Sequence, residues 1–378
     1  MSDKSQAQDI IDTYLGKGGD HSVKIELFIK GEKDVIFRPA VTDEIVWETE
    51  LRGSPSKLTF TVIKEDGVAA EAEELIASAS EALGISEKKK DTPKLSFPEG
   101  APVILRVNDT NVFQGFVFEK KRNKNQQIQC ICYDQMRYLK NKHYMEYKEK
   151  TATEVIRDLA KDYQLHVGDL VDTEYKIPPR IEKDKSAFDI ILKALDITTG
   201  QLPDEKKANF VLYDDFGKLM LKNQKDWYVP VVINEYTAQD FDYTSSIDKD
   251  TYNVVRIYPE KGETSKTLQE PASATNDVYM KAWGILRYNE TVPNELNLQK
   301  RANARLKQKC RPTRDLTIKN AFGDLRVRAG CHVPVMLGLG DRVTNYCLRC
   351  DKVTHRITSN YHVMDLTLSG HKGEFGED

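Results

Sequence analysis

Four side chains near the end of the chain have the types and spacing to hold a metal: Cys347, Cys350, His355 and His362. Two thiolates separated by two residues and followed by an imidazole begin the pattern of a Cys-Cys-His-Cys zinc knuckle. The fourth ligand would fall at Asn360, which offers neither thiolate nor imidazole. The surrounding residues also read as strand, where positions three apart face opposite sides, so Cys347 and Cys350 are expected to diverge rather than chelate. The sequence therefore predicts no metal site.

Other candidates reduce to structural roles. Cys130 and Cys132 share a face with Ile128 and read as small buried hydrophobes. Gly338, Gly340 and Asp341 form part of a dinucleotide fingerprint, but no third glycine and no crossover helix follow, so they mark a turn. The acidic pairs Asp214 with Asp215 and Asp248 with Asp250 read as turn-forming carboxylates among 59 acidic residues. No HExxH, GxSxG, Walker loop or family-type cysteine flank is present, so no catalytic residue and no cofactor are expected. Lys300, Arg301, Arg305, Lys307, Lys309, Arg311 and Arg314 lie in a stretch free of acids. Such a helix can track phosphates. Without interleaved aromatics it reads instead as a solvated face, or one that pairs with an acidic neighbouring subunit.

Composition narrows the class. A net charge of -3 and a pI near 6.2 give no general pull toward nucleic acid or anionic membrane. No run reaches the roughly 20 apolar residues of a membrane span, and residues 1–19 lack the apolar region of a signal peptide. The protein is expected to be made and kept in the cytoplasm unless a larger particle carries it out. Six cysteines in 378 residues are too sparse for a disulfide scaffold and imply a reducing compartment. The length suits two to four domains.

The elements that must position these residues follow from periodicity. After an N-terminal helical segment, residues 1–20, the text from 21 to 142 is mostly strand. It ends in a hairpin in which Phe113, Phe116, Val117 and Phe118 precede a polar turn at 122–126, and Ile128, Cys130 and Cys132 alternate with Gln127 and Gln129. A helix at 68–84 with an Ala/Leu/Ile stripe is inserted within the stretch 65–95, and a charged linker at 87–93 follows it. Residues 143–225 read as a small α+β domain: a capping box at Thr151 and Glu154, a second helix from Ser186 burying Phe188, Ile191, Leu192 and Leu195, and a hairpin turning at 214–217. Residues 226–378 form a second β-rich domain, with strands at 241–248, 252–259 and 277–289, a patternless polar loop at 260–276, and a helix at 294–310 burying Leu298, Ala302 and Leu306. The predicted fold is mainly β with α+β: two antiparallel barrel or sandwich domains flanking a helix-helix-hairpin domain.

Several of these blocks, taken in order, resemble the XkdQ/YqbQ-type baseplate hub proteins of contractile phage tails and tail-derived bacteriocins (tailocins), and more distantly the phage late control D proteins. The likeness is carried by residues 47–62 from Trp47 to Val62, the hairpin around Phe116 and Cys130, residues 133–140, Ser246 to Asp248 with Tyr252 to Val255, Trp283 to Leu286, Gly323 to Val327 with Ala329 and Gly330, and His362 to Leu366. The resemblance implies a non-enzymatic structural protein of virion assembly, a homotrimer whose two β-barrels per subunit match a sixfold tail tube on one side and a trimeric spike on the other. Its implied partners are the tube, the central spike and the wedge proteins of the baseplate, with no nucleic acid and no membrane insertion. Its implied location is the bacterial cytoplasm during assembly and then the particle. The helix at 68–84 departs from the typical member. The alternative reading is a tail-associated cell-wall hydrolase, which would need a nucleophile or paired carboxylates of its own.

Overall fold

The computed structural model describes residues 22–32, 35–51, 53–63, 95–202, 209–259, 270–292, 297–340 and 343–369. The expected helices at 1–20 and 68–84 and the linker at 87–93 lie outside the described residues.

The first block consists of β1 (Ile25–Lys30), β2 (Ile36–Phe37), β3 (Ile45–Glu50), β4 (Lys57–Ile63), β5 (Pro102–Val107), β6 (Thr110–Arg122) and β7 (Gln127–Tyr133). Their order is β3-β4-β7-β6-β5-β1-β2, antiparallel at each pairing. In β7 the predicted alternation holds: Ile128, Cys130 and Cys132 are buried and Gln129 is exposed. In β6 the register against β7 skips Phe118, a bulge that turns this ring onto Tyr133 at a centroid distance of 5.5 Å. The inward faces supply one apolar core, including Leu58, Phe60, Val103, Leu105, Val117 and Cys130.

A 3-10 turn (Gln135–Lys140), capped by Asp134, leads into the middle block. This comprises β8 (Lys142–Tyr147), α1 (Ala152–Asp162), β9 (Val167–Leu170), β10 (Arg180–Ser186), α2 (Ala187–Gln201), β11 (Phe210–Asp215) and β12 (Lys218–Asn223). Both helices open on capping boxes, Thr151 with Glu154 and Ser186 with Asp189, which satisfy backbone N–H groups that have no partner inside the helix. Phe188, Ile191 and Leu195 are buried as predicted, and Leu192 is half-buried. They pack with Val155, Ile156 and Leu159 of α1.

The remaining elements are β13 (Ile233–Asn234), β14 (Asp240–Ser246), β15 (Val254–Pro259), β16 (Ala272–Thr275), α3 (Asp277–Trp283), β17 (Arg287–Val292), α4 (Leu298–Lys309), β18 (Thr313–Phe322), β19 (His332–Gly338), β20 (Val343–Ile357) and β21 (His362–Ser369). The chain divides into two compact units. The larger contains the described residues up to Phe241 and those from Thr317 onward, and the smaller is Asp242–Leu316. Within the larger unit β20 pairs with β3 on one side and β21 on the other, so a single strand order runs from β18 through β21, β20 and β3 into the first block. The smaller unit is the sheet β16-β15-β17 packed against α4, whose Leu298 and Ala302 are buried among Val255, Ile257 and Val292.

Two sequence expectations fail in the smaller unit. Residues 277–289 are not one strand: Asn276 Oδ1 accepts the Tyr279 N–H at 3.1 Å and starts α3, and Gly284, at φ 77, ends it before β17. Tyr279 and Trp283 then stack one helical turn apart, centroids 4.1 Å, so the apolar spacing that suggested a strand is that of a short helix. The polar stretch 260–276 is not patternless to its end. Ala272 and Ala274 are buried while Ser273 and Thr275 are exposed, the two-residue period of β16.

Candidate functional site

The structure parts the two cysteines that looked like metal ligands and brings His355 and His362 into contact. Cys347 is exposed on β20 and Cys350 is fully buried. A register shift between Cys350 and Lys352 then returns His355 to the buried face. There His355 is opposite Trp47 in the β20–β3 pairing, and the rings stack at 4.9 Å. Among the described residues no group of three or more His, Cys, Asp or Glu is placed to hold a metal ion.

What the fold builds around Trp47 is a buried polar junction. Trp47 Nε1–H donates to Ser56 Oγ at 2.7 Å. Ser56 N–H donates to Asp134 Oδ2 at 2.8 Å, and Met136 N–H donates to Asp134 Oδ1 at 2.9 Å, so this carboxylate caps the 3-10 turn and ties it to the loop before β4. Next in the chain, Gln135 reaches the middle block: its Nε2 donates to Asp214 Oδ2 at 2.8 Å and to His166 O at 3.1 Å, and its Oε1 accepts the His166 N–H at 2.9 Å. Asp214 also accepts the Gly217 N–H at 2.8 Å, the turn role read from sequence. From the C-terminal segment, Arg328 donates to Asp214 O at 2.5 Å and Asp215 Oδ1 at 3.3 Å, and its guanidinium carbon lies 5.1 Å from the ring centroids of both Trp47 and Tyr213. Ala329 N–H donates to Thr49 Oγ1 at 3.0 Å.

The histidines close the far side. His355 Nε2 lies 2.9 Å from the Val327 carbonyl, which can only accept, so Nε2 carries the hydrogen; Nδ1 then accepts from His362 Nε2–H at 2.9 Å. Both nitrogens of His355 are thus committed while the ring is neutral. Burial pushes His355 down to about 3 and His362 down to about 4. Burial also pushes Asp214 up to about 6, while burial and then the Asp214 charge hold Asp134 well above the ordinary carboxylate range; Arg328 opposes both shifts. Most of the polar atoms here are spent on one another and on backbone, while the buried Arg328 Nε makes no hydrogen bond. The junction is built as a joint between three stretches of chain.

Asp134, Arg328 and Trp47 were not singled out from sequence as site residues. Asp134 had a local signal, an acid immediately before a helical turn. Arg328 had none, and neither did the stacking of Trp47 on His355, since these partners are remote in the chain. The basic run on α4 is placed plainly: Arg301 and Arg305 pair with Glu290 of β17 at 2.6 and 3.1 Å, and Lys309 pairs with Asp250.

The same architecture occurs in phage tail proteins. The 43 kDa tail protein of prophage MuSo2 from Shewanella oneidensis superposes with a TM-score of 0.63 over 91% of this chain and 98% of its own, at 11% identity, a likeness of fold. The match in sequence is closer to two proteins of Bacillus subtilis (strain 168). The phage-like element PBSX protein XkdQ is 27% identical over 75% of this chain and 86% of its own length, and the uncharacterized protein YqbQ is 27% identical over 91% and 96%. The YQBQ-like family profile matches residues 45–369, and the chain belongs to that family.

Proposed function

We propose that this protein is a non-enzymatic baseplate hub of a contractile phage-like tail, a homotrimer that joins a sixfold tube to a trimeric spike. The observation that carries the proposal is the strand order of the larger unit, in which N-terminal and C-terminal strands pair directly through β3 and β20 and the middle block is pinned to both by the buried junction. Such a unit suits load transfer, because separating its blocks requires breaking backbone ladders and uncovering buried charge together. The strand path ends at β2 on the side of the first block, and a closed ring of identical copies covers such an edge. Membership of a family that includes a phage-like element protein supports the same reading.

Light scattering on the purified protein, alone and with its spike partner, tests the assembly. Three chains per particle are expected. A monomer under both conditions, or a closed dimer, would overturn the hub architecture, and repurified protein that clears peptidoglycan in a zymogram would put the hydrolase reading first.

A further inference from the structure

Beside the junction lies a feature that the hub role leaves unused. Cys331 and Cys350 face each other with Sγ atoms 3.8 Å apart, and both side chains are fully buried. Backbone bonds fix the encounter: Cys350 N–H donates to Cys331 O at 2.8 Å, and Gly330 N–H donates to Cys350 O at 2.7 Å, so Gly330 and Cys331 together oppose Cys350 as a bulge at the start of β19. Gly330 adopts φ 102, where a side chain is strained and would meet Val211 at 2.8 Å, so the bulge needs glycine.

We propose that Cys331 and Cys350 form a cross-link site, a reversible disulfide that a peroxide closes once the chain leaves a reducing compartment. Bond formation needs the sulfurs to approach to about 2.05 Å, a closure of under roughly 2 Å that two side-chain rotations can supply between paired strands. The cysteines of the first block behave differently: Cys130 and Cys132 belong to a single strand, and burial pushes the Cys130 thiol up to about 12. At the bulge, the hydrogen bond shared with Cys350 draws the Cys331 thiol below its ordinary range and holds Cys350 well above it. Either sulfur of the pair can attack and the other resolve, and both orders give the same disulfide.

The chemistry balances with hydrogen peroxide as the oxidant. With Cys331 attacking, it gives up its proton, and its thiolate attacks one peroxide oxygen. The O–O bond breaks, and the released hydroxide takes that proton to become water, leaving a sulfenic acid on Cys331. The Cys350 sulfur then attacks the Cys331 sulfur. The S–O bond breaks, and the hydroxide leaves with the Cys350 proton as a second water. Two thiols are oxidised and one peroxide is reduced to two waters.

The test treats the full-length protein with hydrogen peroxide near neutral pH, then alkylates free thiols in denaturant and measures mass before and after reduction with dithiothreitol. Expected are a loss of about 2 Da that dithiothreitol reverses, four alkylated thiols of the six cysteines, and a peptide joining Cys331 to Cys350. Cys347→Ser, which removes the exposed thiol, should give the same product. The closed form should melt about 3 °C or more above peroxide-treated Cys350→Ala. Six alkylated thiols, a cross-link through Cys347, or sulfinic acid at Cys331 without a disulfide would overturn the proposal. The readout is the covalent state of one chain, so it stands or falls independently of whether the protein is a trimer.

Discussion

In the first β block, Leu58, Phe60, Val103, Leu105 and Val117 build a core from apolar side chains alone. At the edge of that core the indole of Trp47 belongs to the apolar cluster, yet its N–H begins a chain of polar contacts through Ser56, Asp134, Gln135 and Asp214. One region is held by exclusion of water, which is non-directional and indifferent to pH. The other is held by directed bonds among groups that burial has shifted away from their ordinary protonation. The apolar core makes the block fold, and the junction decides which other stretches of chain it accepts.

The largest effects should come from cutting each region once. Phe60→Ala and Arg328→Met should each cost about 3–5 kcal/mol in urea unfolding, the first by leaving a cavity and the second by leaving buried carboxyl groups without their cation. Their pH dependence should separate them. The cost of Phe60→Ala should be flat between pH 4 and 7. That of Arg328→Met should grow as pH rises, because Asp134 and Asp214 must then ionise unpaired. Equal pH profiles would mean that the junction is not electrostatically distinct.

A finer test lies inside the junction. The folded state holds His355 and His362 neutral at pH values where the unfolded chain protonates them, so their contribution is complete above about pH 6.5 and is lost as pH falls toward 4. Asp214 has the opposite sign: its folded value of about 6 lies above the unfolded one, so its contribution is complete below about pH 3.9 and is lost as pH rises through 6. The cost of His355→Phe should therefore shrink on acidification from pH 6.5 to 4, while that of Asp214→Asn should grow between pH 6 and 4. Parallel slopes would show that the two groups do not titrate as their surroundings dictate. The smallest effect sits outside the comparison: Thr151→Ala should cost about 1 kcal/mol by removing the cap of α1, with no pH slope of the junction type.

These regions were legible in the sequence to different degrees. The hairpin of β6 and β7, the capping box of α1 and the start of α2 at Ser186 are local patterns, and the structure keeps them. The start of α3 was misread because one helical turn and a short strand place apolar residues at indistinguishable spacings, and only the Asn276 cap decides between them. The junction was unreadable for another reason. Asp134, Asp214 and Arg328 are far apart in the chain, and no periodicity links residues whose contact exists only after folding. Asp214 was assigned its turn role correctly and its second role not at all.

The passage of the chain through β14 and β18 has a consequence for how such a protein can change over generations. Gln239 N–H donates to Lys319 O at 3.2 Å and Lys319 Nζ lies 3.6 Å from Asp240, so the polypeptide departs from the larger unit and returns to it at one spot. The smaller unit, Asp242–Leu316, is thus an excursion that leaves and rejoins the larger one at neighbouring residues. An excursion anchored in this way behaves as a cassette. It can be lengthened, exchanged or shortened to a turn without rethreading the sheet, so one scaffold can carry different insertions.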